Sequence, residues 1–111
     1  MNYLPNRKNA VVKKTKITEY LLSLDHPLGR TKAAFFYRFG FNPGNWELLR
    51  DAFIEHAENN EVYETQENNY GIKYNIRGPI HTPDDRNPII ETVWIIKSQS
   101  ETPYLITAFP A

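Results

Sequence analysis

The sequence predicts an α+β fold in which three N-terminal helices pack on one face of a four-stranded antiparallel sheet. Two observations carry this. Apolar residues recur at three- and four-residue spacing up to about residue 60, then alternate with polar ones almost to the end. The links between the alternating runs, ENN, GPIHTPDDRNP and SQSETP, are short and rich in turn residues, which favours a meander over parallel crossovers. Helices first and strands afterwards is the α+β order.

The first helix is predicted over about residues 16–24, where Ile17, Tyr20, Leu21 and Leu24 recur at helical spacing and Thr15 offers a cap. The second is predicted over 27–39. Pro27 suits a first helical position, and the residue before a proline is pushed out of the helical region, as a cap at His26 requires. Gly40 then supplies the left-handed residue that ends it. Asn42-Pro43-Gly44 is a turn, and Asn45 caps a third helix over 46–59. Its Trp46, Leu49, Phe53 and Ala57 face inward, while Glu47, Asp51, Glu55 and Glu58 form an acidic stripe. The sheet spans about 61–109, with strands in VYETQ, YGIKYNIR, IIETVWIIK and YLITAF. In the second strand Ile72, Tyr74 and Ile76 face one way, and Lys73, Asn75 and Arg77 the other.

A chain of 111 residues suits one domain with one core, so residues 1–111 are read as a single domain. Hydrophobic content of 41% with 23% charged residues is globular rather than disordered. No apolar run approaches the roughly 18 residues that span a bilayer, and the N-terminus lacks the apolar segment of a secretory signal. With no cysteine, disulfides, zinc–thiolate sites and thiol nucleophiles are all excluded. A cytoplasmic location, without a membrane partner, is expected.

The net charge of zero hides an asymmetry. Residues 1–41 carry eight Lys or Arg against two acidic residues, a balance of +6. Residues 42–69 carry Arg50 against seven acidic residues, a balance of −6. Either opposite faces neutralise one another, within the fold or between copies, or the basic end meets phosphate.

The segments LPNRKNAVV, YLLSLDHPLGRTKAAFF, GIKYNIRGPI, TVWII and YLITAFP resemble, in the same order, a family of small bacterial proteins of unknown function. Members also occur as C-terminal tips of larger toxin-like proteins. The resemblance covers residues 4 to 110, and its most specific elements are His-Pro-x-Gly-Arg-x-Lys at 26–32 and Thr-Ala-Phe-Pro at 107–110. A weaker, architectural resemblance is to the barnase, EndoU, colicin and RelE-type ribonuclease superfamily. It implies RNA cleavage without metal by a few His, Arg, Lys, Thr or Tyr residues, at positions that vary within the superfamily.

Metal-free RNA cleavage needs a base for the 2′-hydroxyl, a donor for the leaving oxygen and cations for the phosphorane. His26, Arg30 and Lys32 are the catalytic candidates, because histidine titrates near working pH and a helix start favours an anion. Lys73, Arg77, His81 and Thr107 are the substrate-binding candidates. Each has a plainer reading: His26 as a cap, Arg30 as a solvated cation, His81 as a loop residue, Lys73 and Arg77 as a polar strand face, Thr107 as a strand former. His56 and the two tryptophans read as packing residues. Lys32 falls within the stripe of Leu28, Phe35, Phe36 and Phe39, with Arg30 on the opposite face. It is therefore expected to be mostly buried, bonded to a carboxylate or carbonyl of another element, as a strut or as a phosphate-site cation.

Neither a phosphate loop, a dinucleotide glycine motif, a nucleophile elbow nor a metal-ligand spacing is present, so no cofactor and no metal is expected. Two function classes remain. One is a metal-independent RNase-like toxin domain acting on RNA. The other is a non-catalytic interaction or oligomeric module whose acidic third helix contacts something basic, such as the N-terminus of a second copy, whereas an immunity-like partner would favour the toxin class.

Overall fold

In the computed structural model, which describes residues 2–111, the first helical element runs from Lys14 to Leu21 rather than from about 16 to 24. It begins as one α turn, Lys14–Lys16 (α1), and widens into a π-helical segment, Ile17–Leu21. The amide of Leu22 donates to the Ile17 carbonyl at 2.7 Å, the five-residue spacing that defines the wider turn. Ile17, Leu21 and Leu22 are thereby buried together, and Leu24 is left exposed. Thr15 lies inside the helix and caps nothing; the cap position is Lys13.

The second helix is regular from Arg30 to Tyr37 (α2). Its entry turn is already helical in hand, with Arg30 N–H donating to His26 O at 3.0 Å. Its exit tightens to i→i+3 bonds, Phe39 to Phe36 and Gly40 to Tyr37, and Gly40 takes a positive φ of 101°. Ala33 and Phe36 are fully buried, whereas Leu28 is 71% exposed. The inward stripe is therefore rotated away from Leu28, which leaves Lys32 at its margin.

The third helix, Trp46–Asn59 (α3), has the predicted bounds, and Leu49, Phe53 and Ala57 face the core. Each fully buried Leu or Phe there contributes about 2 kcal/mol of apolar transfer. Its start carries no side-chain cap: the Asn45 side chain turns back, accepting from Asn42 N–H and donating to Gly40 O. Asn42 and Asn45 instead cap each other's backbone around the turn Pro43–Asn45. His56 is buried as well, for a polar reason described below.

The four strands are Val62–Asn68 (β1), Gly71–Pro79 (β2), Ile89–Lys97 (β3) and Pro103–Pro110 (β4), paired antiparallel in the order β1-β2-β3-β4. The fold is α+β, three helices and a four-stranded antiparallel sheet. Ile76, Ile90, Trp94, Leu105 and Ala108 share one core with Leu21, Phe36, Leu49 and Phe53 of the helical layer. The opposite face of the sheet carries the rows Arg77–Glu91–Phe109 and Asn75–Val93–Thr107, aligned by register across β2, β3 and β4. An extra residue between Leu105 and Thr107 breaks the β3–β4 register. The N-terminal segment ties the two sheet edges together. Asn2 O accepts from Val62 N–H, Leu4 is buried in the core, and Val11 pairs in parallel beside Tyr104.

Candidate functional site

Gly29 explains why the segment 26–32 is folded as it is. It is buried against the backbone of Tyr20, and a Cβ built on it would lie 2.1 Å from the Tyr20 carbonyl oxygen. Only glycine lets the π segment and the α2 entry approach so closely. That approach brings the Tyr20 ring edge-on to the His26 ring, 4.9 Å between centroids. The Tyr20 hydroxyl crosses to Thr107 on β4, at 2.9 Å from its Oγ1.

His26 Nδ1 accepts from both Leu28 N–H and Gly29 N–H, each at 3.0 Å. With that lone pair engaged, the neutral imidazole carries its proton on Nε2. As a base it would have to shift that proton to Nδ1 and lose both backbone bonds. His26 is thus a cap that presents an N–H donor, which revises its candidate role as a proton acceptor.

Lys32 is half-buried rather than mostly buried. Its Nζ lies 3.4 Å from the Leu28 carbonyl, one turn earlier in the same segment rather than on another element, and 5.6 Å from the Tyr20 ring centre. Lys16 Nζ lies 5.4 Å from the same ring. Lys13 sits over Tyr104, and Lys14 shares the Trp46 ring with Arg50. Among the described residues, Lys13, Lys14, Lys16 and Lys32 form no ion pair. Lys16, Glu19, Tyr20, His26, Leu28 and Thr107 line an open cleft of about 530 Å³ along the edge of β4.

The seven sequence candidates do not form one site. His26, Lys32 and Thr107 converge on Tyr20. Arg30 is exposed, and its side chain has no partner among the described residues. Lys73 and Arg77 lie on the sheet face away from the helices. His81 is exposed in the β2–β3 loop, 3.3 Å from Asp85, beside grooves that α3 borders.

On that outer sheet face the structure shows a cluster the sequence reading did not single out. Glu91 is buried, its carboxylate accepting from Tyr63 O–H at 2.6 Å, Asn75 Nδ2 at 2.8 Å and Arg77 Nη2 at 3.1 Å. Burial alone would raise its pKa, but those donors outweigh it and the net shift is downward. A charged residue within IIETVWII was the signal available, since an acidic group between apolar neighbours on an interior strand demands partners.

A second polar chain lies beneath α3. Trp94 Nε1–H donates to Thr92 Oγ1 at 2.9 Å, Thr92 donates to His56 Nδ1 at 3.0 Å, and His56 Nε2–H donates to Gly78 O at 3.0 Å. Burial holds the His56 pKa below its ordinary value. Among the described residues no group of three or more His, Asp or Glu is placed to hold a metal ion. Among the same residues no helix is long and apolar enough to cross a membrane.

Compared with known proteins, residues 3–111 match the family model described as a domain of unknown function, DUF6883. The chain belongs to the DUF6883 family. No curated protein matches it. Among solved structures, a chain of a contact-dependent growth inhibition toxin–immunity protein complex from Klebsiella pneumoniae 342 superposes with a TM-score of 0.70 at 19% identity. The match covers 94% of this DUF6883 chain and 95% of that one, and at that identity it establishes a shared fold.

Proposed function

We propose that this DUF6883 domain is a metal-independent, RNase-like toxin domain whose site is the cleft at the β4 edge. The observation that carries the reading is the pair Lys16 and Lys32, which form no ion pair among the described residues and lie 5.4 and 5.6 Å from the Tyr20 ring that lines the cleft. Cations that track a backbone beside rings on which bases stack are what a single-stranded nucleic acid requires. The fold shared with a chain of a toxin–immunity protein complex supports a place for this domain in such a pair.

In this cleft, cleavage proceeds by attack of the RNA 2′-oxygen on phosphorus. The 2′-hydroxyl proton passes to Glu19, the carboxylate that lines the cleft. Lys16 or Lys32 gives a proton to the departing 5′-oxygen, and the other stabilises the phosphorane charge. His26 Nε2–H and the Tyr20–Thr107 hydroxyl pair donate hydrogen bonds to the phosphoryl oxygens. Products are a 2′,3′-cyclic phosphate and a free 5′-hydroxyl, so bonds and protons balance without an added reactant.

The test is incubation of the protein with total RNA in excess chelator. Discrete fragments bearing cyclic phosphate termini are expected, and intact RNA at high protein concentration would overturn the reading. A second reading, an interaction module for a basic partner or a second copy, is favoured by the exposed stripe of Glu47, Asp51, Glu55 and Glu58 on α3. Intact RNA together with a stable self-associated species in sedimentation would support it.

A further inference from the structure

Arg77 differs from the cleft lysines in one respect: its charge is already balanced. Its Nη2 lies 3.1 Å from the Glu91 carboxylate and 3.3 Å from the Tyr63 hydroxyl, and its guanidinium lies over the Tyr63 ring, 4.7 Å from the centroid. Among the described residues its Nε and Nη1 have no partner, and its side chain is 54% exposed. The Tyr63 and Glu91 oxygens lie 2.6 Å apart, so one Nη2 hydrogen serves both, and the other Nη2 hydrogen completes a flat two-donor edge with a neighbouring free N–H, carrying little net charge toward an incoming ligand. A phosphate is drawn chiefly by uncompensated charge, which Glu91 removes. A neutral edge with two adjacent acceptors matches the fork by geometry instead.

The location fits a strand of RNA. Asn75, beside Arg77 on β2, lies in one row with Val93 and Thr107, and Thr107 borders the cleft. Two strand spacings of about 4.8 Å separate Asn75 from Thr107, so about 10 Å of sheet joins the two sites.

We infer that Arg77, laid on Tyr63 and held by Glu91, recognises the O6/N7 edge of a guanine flanking the bond at the cleft. Guanine presents those two acceptors side by side, and a bidentate arginine is their commonest partner. This rests on the RNA reading above. Glu91 and Tyr63 are positioning residues here: the fork touches the base, and they fix its plane. Glu91 is no candidate base, because three donors already occupy its buried carboxylate.

The experiment is fluorescence anisotropy with short 2′-O-methyl oligoribonucleotides, which cannot be cleaved. The probes are an all-uridine strand and strands with one guanine, adenine, cytosine or 7-deazaguanine in its centre. The guanine strand is expected to bind about tenfold tighter than the others, with 7-deazaguanine losing most of that gain. Arg77→Gln should abolish the preference while leaving all-uridine affinity and its salt dependence unchanged, whereas Glu91→Gln, which leaves the Arg77 charge uncompensated, should abolish the preference while strengthening binding of every strand and raising the salt slope by about one. Thermal unfolding checks that Glu91→Gln is folded; if it is not, the surface substitution Arg77→Gln decides alone. Wild-type binding without guanine preference overturns this inference and leaves the proposed function standing. So does an Arg77→Gln protein that weakens every strand equally and lowers the salt slope by about one, the mark of a phosphate contact. Absence of binding to any strand overturns both.

Discussion

His26 and Lys32 both approach the Tyr20 ring, yet their chemistry is separable one atom at a time. The Nδ1 of His26 closes the entry of α2, so His26→Ala removes a cap and should lower stability by about 1 kcal/mol. Asparagine at this position keeps a short acceptor for the same amides but not the imidazole N–H. His26→Asn should therefore unfold close to the wild-type temperature while cleaving RNA at least tenfold more slowly. Full activity in a stable His26→Asn protein would make His26 a cap alone. Lys32 calls for the opposite choice. Its stem lies along the margin of the buried stripe, so methionine retains the packing and drops the charge. Lys32→Met should change stability by no more than about 0.5 kcal/mol and abolish or strongly reduce cleavage. A Lys32→Met protein that cuts RNA at the wild-type rate would remove Lys32 from the phosphate site.

At the scale of elements, the α2 entry and the π segment work as one unit, and Gly29 is the point at which they touch. A methyl at position 29 would run into the Tyr20 backbone, which cannot rotate away as a side-chain tip can. Gly29→Ala should cost about 3 kcal/mol, and in any protein that still folds it should disturb the Tyr20–Thr107 bond and with it the cleft. Chemical denaturation measures the first effect; a Gly29→Ala protein as stable as wild type would show that the contact is not tight. The same unit marks where the sequence stops being legible. Helix α3 follows a period of 3.6, and the four strands are apolar or alternating runs bounded by turn residues, so their bounds could be read to within a residue or two. The π segment has no such period, since one five-residue bond shifts every later side chain by most of a residue. Tyr20 thereby reaches β4, and Leu24 falls beyond the end of the segment, in an exposed turn. The exposure of Leu28 has a similar origin, in an entry turn held by Nδ1 of His26 rather than by an apolar contact. Glu91 was hidden for another reason: its donors, Tyr63, Asn75 and Arg77, come from two other strands, and only the register makes them neighbours. The candidate residues were thus named individually, but their division between a cleft and a sheet face required the pairing of β3 with both its neighbours.

Over the whole molecule, two buried titratable groups link the helical layer and the outer sheet face to the pH of the medium. His56 joins α3 to β2 and β3 as a neutral ring, donating through Nε2 and accepting at Nδ1. Protonation would place a donor against the Thr92 hydroxyl and a charge in the core, and desolvation accordingly holds the folded pKa below the ordinary 6.5. The unfolded chain then binds more protons than the folded one between the two pKa values, so stability rises with pH there. The contribution of His56 is complete above about pH 6.5 and is lost as pH falls toward its folded value. Glu91 acts in the same direction at lower pH. Its folded pKa is also depressed, so its contribution is present above about 4.5 and is lost as pH falls further. The arms therefore add rather than oppose, and acid should loosen α3 from the sheet before the ion pair on the outer face is released. Thermal unfolding followed from pH 7.5 to 4 should show a melting temperature that falls steadily below pH 6.5 and more steeply below 4.5. His56→Gln, which can bond Gly78 or Thr92 without titrating, should start from a lower melting temperature and flatten the upper part of that curve. The remaining step below pH 4.5 should shrink when Glu91 is changed as well, leaving the contribution of Asp84, whose carboxyl is held below its ordinary value by bonds from Arg86 and Thr82 that outweigh its desolvation. A wild-type melting temperature constant between pH 7.5 and 5 would mean that the imidazole is protonated in the folded state at little cost, and the buried chain from Trp94 to Gly78 would have to be redrawn.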